Sequence, residues 1–458
     1  MSGSGLLVPE GIEGQAHRFK RLAFAFGSRF FVLLAIGLGW LAPAFFDTRF
    51  LIALAAWDGL VVAAWLADFL TLARPERLKV RRTWLHPPAL SVASDVRLTL
   101  VNTSAVTIRA RILDNVPHQL TREPPTVVLK AGALSEADDT YAIVPRERGS
   151  VTVGHAYIRY QSPMGIAERW AEVDLAQTIA IYPNLREAKR ESMFLVRSRQ
   201  IDLERRSKRL RGAGRSFESL REYREGDEVR DICWTASARR GKLVTRLYEL
   251  EKSQTIWILI DSGRLMRTHV ASTTKLDLAV NAALTLSQVA LTSGDRVGLV
   301  AYGRRIEHRL PAARGARHLR QIIEHLAEVK ADEWEADHLH AAGRLLSDQK
   351  RRSLIVWLTD MADTAMTPEV VQAASQLMPR HLVLFVVVGQ PDVLTAAHER
   401  PENVGEMYRT AAAQEVIYRR ELLLARLRAR GALALEATSK LSPAVVNAYL
   451  EIKLRNRL

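Results

Sequence analysis

Two long apolar runs near the N-terminus constrain this chain more than any other feature. Residues 30–46 carry no charged side chain, and residues 50–72 carry two. At the helical rise, runs of about 17 and 23 residues approach or match a hydrocarbon core about 30 Å thick. Backbone polar groups find no water inside lipid, so both runs are expected to be helices. The pattern therefore predicts a two-helix transmembrane hairpin over residues 30–72, turning at residues 47–49.

The two charged residues of the second run are both aspartates. Asp58 lies about 12 Å along the helix from Phe50, and Asp68 lies near the far end. A charge inside lipid costs on the order of 3 kcal/mol, so Asp58 invites a functional role. A neutral or hydrogen-bonded aspartate inside a packed hairpin or oligomer is the alternative, and both stay open. Asp68 is expected to be in contact with water.

Positive charges flank both runs and predict the orientation of the chain. Basic residues before the first run are Arg18, Lys20 and Arg21, and those after the second are Arg74, Arg77, Lys79, Arg81 and Arg82. Because Lys and Arg are enriched in cytoplasmic flanks, both ends are expected in the cytoplasm. Residues 1–29 then form a cytoplasmic N-terminal segment, and the bulk of the chain follows the hairpin into the cytoplasm. The single cysteine, Cys233, agrees with a reducing compartment.

Residues 75–182 show the pattern of short β-strands. Apolar and polar residues alternate in Val96–Val101, Thr107–Leu113 and Ser150–Gly154, and prolines and glycines separate these stretches. Period-two alternation between turn signals is typical of half-buried antiparallel strands. The segment is therefore predicted to be a small, all-β, sandwich-like domain.

Residues 253–458 show a different pattern, in which continuous apolar strands alternate with helices. Thr255–Ile260, Ser353–Leu358 and His381–Val388 are the predicted buried strands. This alternation predicts an α/β domain with a doubly wound, mostly parallel sheet. Ligands of such sheets bind beyond the carboxyl ends of the strands. Asp261 and Asp360 follow two of those ends and are the candidate site residues.

A basic linker and a dense motif, together residues 183–252, join the two predicted domains. The motif residues are Arg221, Tyr223, Gly226, Asp227, Arg230, Ile232, Trp234, Ala238, Arg239, Lys242 and Leu243. This order resembles the bacterial domain-of-unknown-function 58 family, with Cys233 where an acidic residue is usual. The resemblance implies a bacterial inner-membrane protein that carries a von Willebrand factor type A-like domain.

Two interpretations of the motif remain open. Arg221, Arg230 and Arg239 can each bind a carboxylate through two hydrogen bonds. They would then join the β domain to the α/β domain, with Trp234 and Tyr223 buried between them. Alternatively, the same arginines bind an acidic partner protein.

The family resemblance also implies a metal site, which this sequence keeps only in part. The type A adhesion site needs Asp-x-Ser-x-Ser at one strand end, a loop threonine and a second aspartate. Here Asp261 is followed by Gly263 and Leu265 in place of the two serines, while Asp360 remains and Asp337 falls in the loop region. Hydroxyl and carboxylate oxygens are the ligands that Mg²⁺ prefers. No cofactor is therefore expected, with Mg²⁺ at Asp261 and Asp360 as the alternative.

The functional hypothesis is a non-enzymatic membrane scaffold or adaptor, because no catalytic constellation is evident. His338 and His340 lie two residues apart and are interpreted as surface histidines. By resemblance, the partner is a MoxR-type AAA+ ATPase. One alternative is a Mg²⁺-dependent protein-binding module. Another is nucleic-acid binding through residues 183–246, which the net charge of +15 favours. Membrane tethering and the acidic residues interspersed in this region also explain that charge.

Overall fold

The computed structural model describes residues 8–19, 23–184, 190, 216–224, 229–249, 253–270, 273–361, 367–437 and 440–455. The chain forms two units, Met1–Tyr182 and Pro183–Leu458.

The first unit combines β-strands with apolar helices. Its strands are β1 Ile12–Arg18, β2 Phe24–Phe26, β3 Leu78–Trp84, β4 Ser94–Asn102, β5 Ile108–Asp114, β6 Thr126–Ala131, β7 Ser135–Ile143, β8 Gly149–Val153, β9 Ala156–Gln161, β10 Ala167–Val173 and β11 Gln177–Ile181. Its helices are α1 Ser28–Gly37, α2 Leu41–Ala44 and α3 Phe50–Thr71. The predicted strands near 96–101, 107–113 and 150–154 are confirmed as β4, β5 and β8.

The predicted transmembrane hairpin is wrong. Among the described residues, α3 is the helix that is long and apolar enough to cross a membrane. The first apolar run is divided into α1, a 3₁₀ turn at Leu38–Trp40 and the four-residue α2. Gly37, Gly39 and Pro43 lie in this run and disfavour a continuous α-helix, which counting uncharged residues overlooks.

The N-terminal residues are also not a separate segment. β1 pairs antiparallel with both β3 and β10, and β2 pairs with β10. The residues directly before α1 are therefore held in the sheet of the β domain. β1 is only seven residues long and most of its side chains are exposed or partly exposed. Its sequence therefore lacks the clear apolar–polar alternation that would predict a strand.

The β domain is one barrel-like antiparallel sheet rather than the sandwich that we expected. Its strand order is β6-β5-β9-β10-β1-β3-β4-β7, with β2 beside β10, and the end strands β6 and β7 are in contact. A separate pair, β11-β8, completes the unit. The alternate residues of β3, β4 and β5 that face inward form the apolar core. Because strand alternation is the same in a sandwich and a closed sheet, pairing alone distinguishes the two.

The second unit begins with a hairpin and continues as an α/β sheet. Its strands are β12 Ser216–Glu222, β13 Val244–Glu249, β14 Thr255–Asp261, β15 His269–Val270, β16 Thr273–Thr274, β17 Arg296–Tyr302, β18 Ile306–Ala313, β19 Leu354–Thr359, β20 Leu382–Val388 and β21 Leu433–Ala437. Its helices are α4 Trp234–Arg240, α5 Lys275–Thr292, α6 Ala316–Glu328, α7 His338–Asp348, α8 Thr367–Leu377, α9 Pro391–His398, α10 Val404–Ala429 and α11 Leu441–Leu454.

The central sheet of this unit has the order β18-β17-β14-β19-β20-β21. Its pairs are parallel except for the edge pair β17–β18. The predicted buried strands are confirmed as β14, β19 and β20, whose side chains are buried on both faces. Such burial explains why these segments read as unbroken apolar runs. Parallel pairing brings the carboxyl ends of β14 and β19 to the same edge.

His381 lies directly before β20 and should make the stability of this unit depend on pH. It is 3% exposed, and its Nδ1 lies 3.0 Å from Ser353 Oγ. Burial, with a smaller contribution from Arg380, lowers the pKa of His381 to about 4. The unfolded chain takes up a proton near pH 6.5, whereas the folded chain does not until about pH 4. Stability should therefore fall by up to about 3 kcal/mol as the pH drops through this window.

Urea unfolding of the detergent-solubilised chain between pH 7 and pH 4.5 measures this dependence. Substitution His381→Gln removes the titrating group, so the loss of stability across that range should become smaller. His398 is exposed, and His398→Gln should leave the dependence unchanged. An unaltered pH dependence in His381→Gln would assign the effect to another group.

Candidate functional site

Asp261 and Asp360, the two predicted site residues, lie at neighbouring strand ends. Ile260 in β14 pairs with Leu358 in β19, so the residues that follow both strands meet at one edge of the sheet. Both aspartates are buried, which is unusual for carboxylates and requires compensating partners.

Asp261 receives neutral hydrogen-bond donors on both oxygens. Thr359 Oγ1 donates to Asp261 Oδ2 at 2.6 Å, and the backbone N–H of Gly263 donates to Oδ1 at 2.7 Å. Burial raises the pKa of Asp261, while the nearby His338 and the two donors act in the opposite direction. The carboxylate is therefore held by its own strand-end neighbours.

Gly263 occupies the position of the first missing serine, and the backbone explains its small size. A Cβ atom at Gly263 would lie 2.8 Å from the backbone N of Ala336 and 3.0 Å from Asp261 Oδ1. A serine would force the Ala336 loop to move. The loss of this hydroxyl thus accompanies a close approach of two loops.

Asp360 is compensated by cations from two distant helices. Lys275, the first residue of α5, places its Nζ atom 2.6 Å from Asp360 Oδ2, and the lysine is 1% exposed. Arg420 in α10 lies 3.8 Å from Asp360 Oδ1 and donates to Glu436 at 2.9 Å. Lys275, Asp360 and Arg420 are buried, and Glu436 lies beside them with its side chain partly exposed. We call these four side chains, two cations and two carboxylates, the Lys275 cluster.

The start of α5 explains the position of Lys275. Thr274 and Asp277 form a capping box, in which Thr274 Oγ1 accepts from the Asp277 N–H and the Asp277 carboxylate accepts from the Thr274 N–H. This cap fixes the first helical turn, from which Lys275 points to β19. Burial lowers the pKa of Lys275, and Asp360 opposes that effect by favouring the ammonium.

The residues present do not fit a Mg²⁺ ion. Lys275 already places a positive charge against Asp360, and both Asp261 oxygens accept hydrogen bonds from Thr359 and Gly263. A divalent ion at this edge would have to displace the lysine and lacks the two serine hydroxyls. Within the described ranges, no group of three or more His, Cys, Asp or Glu side chains is placed to hold a metal.

A second layer of polar residues behind Asp261 escaped the sequence analysis. Tyr302 ends β17 beside Asp261, and its hydroxyl lies 2.9 Å from His338 Nδ1. Trp357 Nε1 donates to the same hydroxyl at 2.5 Å. His338 is buried, so its interpretation as a surface histidine is wrong, whereas His340 is exposed. The position of Tyr302 at the end of a strand was the sequence feature from which its place beside Asp261 could have been predicted.

Asp337 and Ser262 have roles that are visible only in the fold. Asp337 caps α7 by accepting from the His340 N–H at 2.8 Å, so it serves the helix. Ser262 is buried, and its hydroxyl lies 3.3 Å from Glu307 Oε1. Burial raises the pKa of Glu307 and Ser262 lowers it. The polar side chains at this edge of the sheet therefore bind one another within the protein.

The motif of the linker folds on itself as the hairpin β12–β13 with α4 beside it. Ser237 in α4 accepts from the Val244 N–H and donates to the Cys233 carbonyl, each at 2.9 Å. Cys233 and Ile232 are buried. This arrangement explains why the small and apolar members of the motif are required locally.

The polar and aromatic members of the motif have different positions. Arg221 lies on β12 and is partly buried, as is Tyr223, whose N–H donates to Leu243 at 2.9 Å. Gly226 and Asp227 lie outside the described residues, and so does the side chain of Arg230. Arg239 is exposed. Trp234 is 63% exposed and not buried as we expected.

Asp58 is half-buried in α3 and faces the first apolar helix. A Cβ atom at Gly37 in α1 would lie 2.5 Å from the ring of Trp57 and 3.2 Å from Asp58 Oδ1. Close packing of α1 on α3 thus shelters this carboxylate on one side.

Residues 219–407 match the family described as "Protein of unknown function DUF58". Over this segment the chain is similar to the DUF58 family. The match runs from the motif hairpin through β20 to the first residues of α10. It therefore includes Asp261, Lys275 and Asp360 but not Arg420 or Glu436.

Two curated relatives are also named as uncharacterised proteins. YeaD of Bacillus subtilis is 24% identical over 201 residues, which cover 42% of this chain and 46% of the relative. A protein of Mycobacterium tuberculosis is 26% identical over 183 residues, covering 39% and 56%. The chain thus spans about half the length of the curated relatives it matches.

Two solved structures are similar at low identity. An aerotolerance-related membrane protein from Bacteroides fragilis is 12% identical with a TM-score of 0.32, covering 45% of this chain and 100% of that one. BatB from Bacteroides thetaiotaomicron is 12% identical with a TM-score of 0.29, covering 44% and 99%.

Proposed function

We propose that this protein is a non-enzymatic scaffold, anchored in a bacterial inner membrane through α3. Its α/β unit would face the cytoplasm and act with a MoxR-type AAA+ ATPase in the assembly or maturation of protein complexes. The single observation that carries the proposal is the rigid connection between α3 and the β domain.

Asp68 makes that connection near the end of α3. The residue is 3% exposed, so the expectation that it contacts water is wrong. Its Oδ1 accepts from Ser162 Oγ at 2.5 Å, and its Oδ2 accepts from the N–H groups of Ile166 and Ala167 at 3.1 and 2.8 Å. Three donors on one buried carboxylate fix its orientation. The end of the helix is therefore bound directly to the turn between β9 and β10.

Two further contacts hold the last turn of α3. Arg169 Nη2 donates to the Phe69 carbonyl at 2.9 Å, and the guanidinium lies 4.2 Å from the Phe69 ring. Tyr160 donates to the Ala73 carbonyl at 2.7 Å. The Arg169 donor satisfies a carbonyl group that the helix C-terminus leaves without a partner, and the Tyr160 donor holds the chain just after the helix. An anchor joined in this way transmits force and orientation, which suits a scaffold better than a flexible tether.

The charges after α3 support the cytoplasmic orientation, although several also serve the fold. Lys79 and Arg81 pair with Glu13 at 3.2 and 2.6 Å, and Arg82 is buried against Asp114. Acidic residues contribute little to this bias, so the paired lysine and arginines still support retention of this flank in the cytoplasm.

The candidate site supports a binding role rather than a reaction. The Asp261 and Asp360 carboxylates are compensated inside the protein, which leaves no positioned nucleophile and base among the described residues at this edge. We infer that the α/β unit needs no bound Mg²⁺. Recognition of the ATPase is then assigned to the exposed face of α4 in the motif, where Trp234 and Arg239 meet solvent. Aromatic and arginine side chains are the usual anchors of protein interfaces.

Two tryptophans of equal exposure allow a matched test. Trp234 in the motif is 63% exposed, and Trp334 before α7 is 62% exposed. We expect Trp234→Ala to reduce co-purification of a MoxR-type ATPase, co-expressed from the same genome, by about tenfold or more. Trp334→Ala should retain it. The full chain would be solubilised gently, and the ATPase would be identified by mass spectrometry and quantified.

Each outcome of this experiment decides a part of the proposal. Absence of the ATPase from the wild-type sample would contradict the proposal that a MoxR-type ATPase is the partner. An equal loss in both variants would contradict the assignment of the interface to α4. Circular dichroism of both variants confirms that the chain is folded.

A further inference from the structure

An apolar patch beside the end of α3 has the composition and position of a lipid-contact surface. Phe26 in β2, Phe31 in α1 and Met164 in the β9–β10 turn are all exposed, Met164 by 61%. We call these three residues the interfacial patch. Met164 lies on the same turn as Ser162 and Ile166, which bind Asp68.

The depth of the patch follows from the length of α3. Asp68 lies 18 residues after Phe50, which corresponds to about 27 Å along the helix. A hydrocarbon core is about 30 Å thick, so a helix that starts to cross at Phe50 leaves it close to Asp68. Hydrogen bonds between Asp68 and the β9–β10 turn fix that turn at the same level.

Aromatic packing connects the patch to the helix. Phe26 lies 5.0 Å from Trp65 and 4.4 Å from Phe30, measured between ring centroids, and Trp65 stacks on Phe69 at 5.5 Å. Aromatic rings concentrate at the level of lipid headgroups, where an apolar body and a polar edge are both accommodated. Trp65 and Phe69 lie on the last two turns of α3, the level at which such a belt is expected.

The turn that carries Met164 is held in place. Arg29 Nη1 donates to the carbonyls of Pro163 and Met164 at 3.1 and 2.9 Å, and the Gly27 N–H donates to Ile166 at 2.7 Å. A Cβ atom at Gly27 would lie 2.1 Å from the Gly165 carbonyl oxygen, so glycine permits this approach. The exposed guanidinium of Arg29 is also placed to meet anionic headgroups.

We propose that the interfacial patch inserts into the boundary between acyl chains and headgroups of the bilayer that α3 crosses. The β domain then rests on the membrane through the β9–β10 turn and β2, in addition to its helical anchor. This inference rests on the proposed membrane anchorage, and it adds a defined surface, a depth and a lipid ligand.

Site-specific fluorescence tests the proposal in the full-length chain. Starting from Cys233→Ser, single cysteines would be introduced by Met164→Cys, Val144→Cys and Leu60→Cys and labelled with nitrobenzoxadiazole. Val144 is exposed after β7, at the opposite end of the strands from α3, and Leu60 is exposed in the middle of α3. The labelled chains would be reconstituted into phosphatidylcholine–phosphatidylglycerol vesicles that contain lipids spin-labelled near the headgroup or deep in the acyl chain.

The expected result is a blue-shifted probe at Met164 that shallow spin labels quench most strongly. The probe at Leu60 should be quenched by deep labels, and the probe at Val144 by neither. Quenching at Leu60 without quenching at Met164 would overturn the lipid-contact proposal and leave the anchorage intact. Failure to quench at both sites would overturn the anchorage as well. If the Met164 probe is still quenched in pure phosphatidylcholine vesicles but loses its blue shift, the patch still contacts lipid. The lost shift would then measure the contribution of Arg29 binding to anionic headgroups.

Discussion

Substitution Lys275→Met is expected to lower the free energy of unfolding of the second unit by about 3–5 kcal/mol. The lysine is 1% exposed and lies 2.6 Å from Asp360, which is itself buried. Methionine fills a similar volume but leaves the Asp360 carboxylate with Arg420 at 3.8 Å as its remaining cation. A buried charge without a close partner costs far more than the pair contributes when it is complete.

Hydrogen exchange during urea unfolding of the solubilised chain localises this effect. Peptides that cover β14 and β19 report the second unit, and Lys350→Met at an exposed position serves as the control. We expect the control to change stability by less than about 0.5 kcal/mol. A similarly small change in Lys275→Met would contradict the Lys275 cluster. Stabilisation of the wild-type chain by millimolar Mg²⁺ would show that a metal competes for this edge after all.

Substitution Asp114→Ala is expected to destabilise the first unit by about 3–5 kcal/mol. Arg82 is fully buried, and its guanidinium donates to Asp114 and to the carbonyls of Leu175 and Gly154. Tyr141 also donates to Asp114, at 2.6 Å, and burial together with this carboxylate raises the pKa of Tyr141. Alanine would leave the arginine charge buried without a counter-ion.

A surface pair in the same domain provides the control for Asp114. Arg97 and Asp138 lie 3.4 Å apart and are both about half exposed. Because solvent screens such pairs, Asp138→Ala should cost less than about 1 kcal/mol. The double variant Arg82→Met/Asp114→Leu should recover much of the stability, since an apolar pair of similar volume carries no buried charge. If hydrogen exchange in β3 and β5 is unchanged in Asp114→Ala, the pair is not a major stabilising contact.

The strands of the α/β unit can be predicted from the sequence because the cause of their apolar pattern is local. Strands β14, β19 and β20 are buried on both faces, so each is an unbroken apolar run that no surface helix would show. Their boundaries differ from the prediction by one residue at most. The long helix α10 begins at Val404, where Asn403 caps it by accepting from the Glu406 N–H.

The prediction of two transmembrane helices failed because hydrophobicity does not show that the strands before the first run pair with the β domain. Apolar residues 30–46 satisfy a length criterion, but the two strands before them belong to the β sheet, and glycines and a proline interrupt the helix. The second run, α3, satisfied the same criterion and is a continuous helix. Composition alone did not distinguish the two runs.

The sequence by itself therefore determined the apolar helix α3, the strands of the parallel sheet and the positions of Asp261 and Asp360 at strand ends. The tertiary structure decided what those carboxylates contact. Lys275 and Asp360 are 85 residues apart, and Asp68 and Ser162 are 94 residues apart. Hydropathy and periodicity record the environment of one segment at a time. The partner of a buried charge depends on how distant segments are brought together, which only the packed fold specifies.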